Sequence, residues 1–161
     1  GSDLMSDIKN IDLQLKASVT DALKSMTSGM PDLKCGSEML APEPADPVNF
    51  VKIGIMAQSP VKFKFSLKIS RGLLISLASN ILEISPEEIS EEEYMDTGAE
   101  ILNVIAGNCA KKLVGECLGL VLGLPEKNKC YGDGGAAPIA SCRMGIDHEN
   151  YMIMSVFSPD A

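Results

Sequence analysis

The sequence predicts an α+β fold: two similar halves, each a helix followed by three strands, sharing one mainly antiparallel sheet with helices packed on it. Three observations carry this. Residues 61–67 alternate strictly, with Val61, Phe63, Phe65 and Leu67 on one side and Lys62, Lys64 and then Lys68 near the other. That pattern belongs to an antiparallel sheet with one apolar face and one wet face. Apolar residues recur at helical spacing over 7–26 and again over 90–113. Finally, the order helix, three strands, buried helix, long helix, three strands repeats in topology without repeating in sequence.

The chain of 161 residues is long enough for one domain with a real core. All of 1–161 reads as that domain, with residues 1–4 ahead of Met5 expected to be a cloning scar. No apolar run is long enough to span a bilayer, and no basic-then-apolar leader is present. A net charge of −8 argues against nucleic acid and anionic membranes as partners. The five cysteines, Cys35, Cys109, Cys117, Cys130 and Cys142, are odd in number and contain no Cys-x-x-Cys pair. Neither a disulfide framework nor a zinc site fits that spacing; reduced thiols in a cytoplasmic protein do.

In chain order, the first helix carries Ile8, Ile11, Leu15, Val19, Ala22, Leu23 and Met26 on one side. Thr27, Gly29 and Pro31 end it. Residues 33–40 read as an edge strand, and the proline-rich stretch 41–47 as a loop. Strands follow at 48–57 and 61–67, reversing at Gln58, Ser59 and Pro60. Ser70 is placed to cap a largely buried helix over 71–82. The acidic stretch 85–93 reads as a helix start, where the macrodipole favours carboxylates, and not as a catalytic cluster. After the long helix, 117–124 reads as a strand stopped by Pro125, and 126–137 as a turn-rich connection. Its YGDGG run lacks the strand–turn–helix context of a phosphate loop. A final hairpin over 139–146 and 151–157 turns at 147–150, where His148 has no partner at a usable spacing.

The long helix organises the rest. Ser90 and Glu93 have the spacing of a capping box. Met95, Ala99, Leu102, Ala106, Cys109 and Leu113 form an apolar stripe, widened by Ile101 and Ile105. On the opposite side Asp96, Glu100, Asn103 and Gly107 form a second stripe, with Val104 turned outward beside it. Glycine inside a helix costs about 1 kcal/mol relative to alanine, so Gly98 and Gly107 are not there for helix stability. A bare patch at Gly107 lets another molecule come close to Glu100 and Asn103. The residues alone leave open whether this is a site or a solvated face.

The run DTGAEILNVIAGNCAKKL at 96–113, followed by LGLP at 122–125, resembles the CheX branch of the CheC/CheX/FliY phosphatases of bacterial chemotaxis. That family carries an acidic residue, then Glu-x-x-Asn, then Gly-Asn, then a proline ending a strand. Asp96, Glu100, Asn103, Gly107, Asn108 and Pro125 stand at those places. One Glu-x-x-Asn is present, as in CheX, whereas CheC carries two. The residues after Pro125 depart from the family's small or branched run.

The resemblance implies a CheC-like fold and removal of the phosphoryl group from a phosphorylated CheY-like response regulator. It assigns Asn103 to orienting the attacking water and Glu100 to pairing with the partner's lysine, with Asp96, Val104 and Gly107 as partner-binding residues. No cofactor is expected in this chain, and Mg²⁺ is expected in the partner regulator; a homodimer is expected. Two other readings remain: a docking module that binds regulators without hydrolysis, and a structural subunit using the 96–100–103–107 stripe as a dimer seam.

Overall fold

The computed structural model describes residues 11–26, 34–35, 49–59, 62–114, 121–129, 131–135, 137–145 and 149–158. They form α1 (Ile11–Met26), β1 (Lys34–Cys35), β2 (Phe50–Ser59), β3 (Lys64–Ser70), α2 (Arg71–Leu82) and α3 (Glu91–Val114). The second half follows as β4 (Val121–Leu122), β5 (Glu126–Lys127), β6 (Ala140–Gly145) and β7 (Tyr151–Phe157). Short 3-10 turns lie at Pro86–Glu88 and Tyr131–Gly134.

The strands make one antiparallel sheet in the order β1-β6-β7-β3-β2-β4, with β5 also on β2. The two expected halves are visible in this order. Their last strands, β3 and β7, pair at the centre. Each half's opening strands cross over to the other half, β1 onto β6 and β4 and β5 onto β2. The observed architecture is the expected α+β one.

Helices cover one face of the sheet, and the core lies between. Leu15 and Val19 of α1, Leu73, Leu74 and Leu77 of α2, and Ile101, Leu102, Ile105 and Cys109 of α3 pack there. They meet Ile53, Ile55, Phe65, Leu67, Ile69, Met152, Met154 and Val156 from the sheet. Strand alternation puts these sheet residues on one side, and burial of that surface is the main stabilising term. Gly98 is what lets α3 come down onto the sheet. A β-carbon there would stand 2.7 Å from Ile53 Cδ1 and 3.4 Å from Leu74 Cδ2.

Some expectations are corrected. β2 and β3 begin two to three residues later than the alternation suggested. Alternation fixes which side chains face the core but says little about where pairing starts. The lysine-bearing face is not simply wet, because the Tyr131–Gly134 turn folds across it. The Tyr131 amide donates to Ser66 Oγ at 3.0 Å, and Ser66 is buried. The Tyr131 ring lies 5.7 Å below Lys64 Nζ and 5.5 Å below Lys129 Nζ. Part-burial, with a smaller push from the Glu126 charge, raises the Tyr131 hydroxyl above its ordinary pKa.

Residues 126–137 are not all connection, since β5 pairs Glu126 and Lys127 with Gly54 and Ile53. Ser70 stands at the N-cap position of α2 in extended conformation, but its hydroxyl makes no capping bond. Its Oγ is buried with no hydrogen-bond partner among the described residues. The 41–47 loop and His148 lie outside the described residues, as does most of the 33–40 strand; the part described, β1, is at the sheet edge as expected.

Candidate functional site

The start of α3 is fixed by the capping box. The Ser90 amide donates to Glu93 Oε1 at 3.0 Å, and the Glu93 amide donates to Ser90 Oγ at 3.1 Å. The Ser90 amide first, and its hydroxyl next, hold the Glu93 carboxyl below its ordinary range. Glu91, Glu92 and Glu93 fill the first turn, where the helix dipole favours negative charge. Thr97 turns its hydroxyl back to the Glu93 carbonyl at 2.9 Å.

With the start fixed, the 3.6-residue period sets what each face shows. Ile101, Leu102, Ile105, Ala106 and Cys109 are fully buried, and Met95 nearly so. Ala99, expected on that stripe, is only half-buried. On the other side Asp96 and Glu100 are exposed, while Asn103, Val104, Gly107 and Asn108 are half-buried. A helix brings residues three and four apart to within about 5–6 Å at their β-carbons. The Glu100 carboxylate and the Asn103 amide are therefore neighbours, with Val104 and Gly107 a turn further on.

The two glycines of α3 do different things. Gly98 is forced by close packing. At Gly107 a β-carbon would meet only Leu122 Cδ1, at an ordinary 3.5 Å. Among the described residues nothing requires glycine there, so close packing does not account for it.

Among the described residues, neither Glu100 nor Asn103 makes a hydrogen bond or ion pair with its side chain. Asp96 is different: its Oδ1 accepts from Lys127 Nζ at 2.7 Å. That ion pair ties β5, just past Pro125, to α3. Pro125 itself is half-buried. The site face thus offers an exposed carboxylate, a half-buried amide that can both donate and accept, and a small apolar floor. Such a set can pair with a cation and hold a water.

Sequence reasoning missed three neighbours of this face. Lys111 is exposed one turn beyond Gly107 on the same stripe, and the spacing alone could have found it. Lys127 and Leu122 arrive from β5 and β4, where only the fold places them. Among the described residues there is no group of three or more His, Cys, Asp or Glu arranged to hold a metal ion. Nor is any described helix long and apolar enough to cross a membrane.

The family profile described as Chemotaxis phosphatase CheX matches residues 53–150. No curated protein sequence matches this chain. Among solved structures, the chemotaxis protein CheX from Vibrio vulnificus superposes with a TM-score of 0.63 at 17% identity, covering 92% of this chain and 98% of that one. A CheX–CheY–BeF3–Mg²⁺ complex from Borrelia burgdorferi matches with a TM-score of 0.61 at 13% identity, over 95% of this chain and 96% of that one. FliY from Thermotoga maritima matches with a TM-score of 0.56 at 15% identity, over 94% and 87%. At these identities the structural likenesses speak for the fold.

Proposed function

This chain belongs to the CheX family of chemotaxis phosphatases, and on that premise we propose that it hydrolyses the aspartyl phosphate of a CheY-like response regulator. The observation that carries the proposal is the pairing on α3 of an exposed Glu100 with a half-buried Asn103, one turn apart, beside Gly107, which carries no side chain. A relative of the same fold is seen together with CheY, BeF3 and Mg²⁺, which supports a regulator as the partner.

Each residue has a task that suits its chemistry. Phosphoryl transfer needs mainly positioning and charge stabilisation. The Asn103 amide oxygen accepts a hydrogen bond from the attacking water and holds the water oxygen in line with the phosphorus. Being neutral, the amide adds no negative charge against the phosphoryl oxygens. The Glu100 carboxylate pairs with the regulator's lysine and so docks the helix over the phosphorylated aspartate. Val104 and Gly107 allow the two surfaces to meet closely, and Asp96 lies at the edge of the contact.

The step balances without a base from this chain. The water oxygen bonds to phosphorus, and the bond from phosphorus to the aspartyl oxygen breaks. The aspartate leaves as a carboxylate, and both water protons depart with the phosphate as H₂PO₄⁻. The metal and the lysine that stabilise the phosphoryl oxygens belong to the regulator.

The deciding experiment is phosphate release from a phosphorylated CheY-type regulator, with and without this chain. Faster release supports the proposal. Binding to the phosphorylated regulator with no faster release would leave a docking module instead.

A further inference from the structure

Leu124 is the most exposed large apolar residue among those described, at 88%. Singly exposed leucines are ordinary and need no explanation. Leu124 differs because of the backbone that presents it and the place where it emerges.

The segment from Leu122 to Lys127 lines β2 antiparallel, but its count does not match. Leu122 stands opposite Ala57, Glu126 opposite Gly54 and Lys127 opposite Ile53. The step from Ala57 to Gly54 is three residues, whereas the facing step from Leu122 to Glu126 is four. One residue is extra between these pairs, as in a β-bulge, and it offsets the opposite shift where β2 carries the extra residue between Ala57–Leu122 and Ser59–Val121. The last bond before the gap runs from the Gly123 amide to the Met56 carbonyl at 2.7 Å, and Pro125 has no amide to continue the ladder.

Parity then says where the bulge points. Leu122 and Lys127 face partners, Ala57 and Ile53, that lie on the helix side of the sheet. Counting alternate residues forward from Leu122 and back from Lys127 puts Leu124 and Pro125 on the α3 side together. Two consecutive side chains on one side are what a bulge produces, and bulges are common beside functional sites for that reason.

The ends of the segment fix its level along α3. Leu122 Cδ1 lies 3.5 Å from where a β-carbon at Gly107 would stand, and Lys127 is ion-paired to Asp96. Eleven helical residues and five extended ones both cover about 16 Å, so the two run side by side in opposite directions. Two residues past Leu122, Leu124 comes level with Asn103. Val121, also exposed at 47%, opens the same segment.

We infer that the bulge holds Leu124 out beside Asn103 as an apolar anchor for the response regulator, gripping the partner next to the reacting phosphate. This rests on the proposed function. In that setting Glu100 supplies a screened charge contact, while Leu124 supplies apolar area that salt does not weaken.

The test measures binding of Leu124→Ser and Leu124→Met to a CheY-type regulator loaded with beryllofluoride and Mg²⁺, alongside phosphate release and the sedimentation of each isolated chain. Because the side chain is exposed, both variants should fold as the wild type does. Leu124→Ser is expected to raise Kd and KM by about fivefold or more, with kcat within about twofold, and Leu124→Met to stay near wild type. Wild-type Kd and KM in Leu124→Ser would overturn the anchor while leaving the phosphatase reading intact. If the wild type binds the regulator but releases no phosphate, the phosphatase reading falls and the Kd values alone decide the anchor. A change of Leu124→Ser from dimer to monomer would overturn the anchor in favour of a contact between copies of this chain.

Discussion

Lys127 Nζ stands 2.7 Å from Asp96 Oδ1, joining the strand after Pro125 to the exposed face of α3. The pair is wet, with the lysine side chain 42% and the aspartate 64% exposed. Exposed pairs of this kind contribute about 0–1 kcal/mol, so its value lies in placement more than in stability. Asp96→Asn and Lys127→Ala are each expected to lower the unfolding free energy by less than about 1 kcal/mol, with a double-mutant coupling of similar size. Urea denaturation of the four chains measures it. A coupling above roughly 2 kcal/mol would mean that the bridge holds the fold together.

The two glycines of α3 should answer substitution in opposite ways. Gly98→Val places branched carbons against Ile53 and Leu74, where even one added carbon stands 2.7 Å from Ile53 Cδ1. Overpacking of this kind costs about 1–3 kcal/mol. Gly107→Ala meets only an ordinary contact and gains helix propensity, up to about 1 kcal/mol. It should therefore melt later than wild type yet bind the regulator more weakly. Thermal melts combined with regulator binding separate the outcomes. A Gly107→Ala chain that melts higher and still binds with unchanged affinity would show that the bare patch is not part of the contact.

Much of this was readable in the residues, and the failures have physical causes. The capping box at Ser90 and Glu93 was legible because its partners are three residues apart, and so was the division of α3 into two faces. The two-half topology was legible in the order of patterns. By contrast, β5 is the two charged residues Glu126 and Lys127, with no alternation to betray them. They pair only because β2 lies alongside. Leu124 was invisible for the same reason, since a bulge is a mismatch between two strands distant in sequence. The capping role expected of Ser70 failed because its hydroxyl is buried beneath the helix start, where position alone could not show it. The cover on the lysine face came from Tyr131, a residue 65 positions from the Ser66 hydroxyl it bonds.

The capping box gives a pH dependence with a definite sign. The Ser90 amide, and after it the Ser90 hydroxyl, hold the Glu93 carboxyl below its ordinary pKa. A depressed carboxyl contributes stability above its unfolded pKa and loses it as pH falls through the folded value. The stability gap between wild type and Glu93→Ala should thus be full near neutrality and shrink as the solution is taken below about pH 4, the ordinary range of a glutamate. Urea titrations at several pH values measure the gap. A gap that widens on acidification would contradict the capping role.

Magnesium titrated into the isolated chain is expected to give no saturable heat in a calorimeter. A magnesium site uses carboxylates fixed in octahedral geometry, and the described residues hold no such cluster. With the beryllofluoride-loaded regulator present, magnesium should strengthen the complex through the partner. A tight site on the isolated chain would reverse the proposed division of labour.

The sharpest separation is between Asn103 and Glu100, because the proposed mechanism gives them contributions at different stages. Asn103 holds a water that matters only as the phosphorus–oxygen bond is made. Asn103→Ala should therefore lower kcat by about 100-fold or more and leave binding of the beryllofluoride-loaded regulator within about twofold. Glu100 makes a charge-assisted contact that is present on docking. Glu100→Ala should weaken binding, by about tenfold, and that loss should account for much of its loss of activity. Salt should weaken wild-type binding toward that of the alanine variant and affect the variant less, because the screened contact is already gone. Glu100→Gln keeps the shape without the charge and should lie nearer the alanine variant. Glu100 is exposed, Asn103 is half-buried, and neither side chain makes a bond among the described residues, so neither change should disturb the fold. Hydrolysis by Asn103→Ala at the wild-type rate would sink the catalytic role; unchanged binding by Glu100→Ala would sink the docking role.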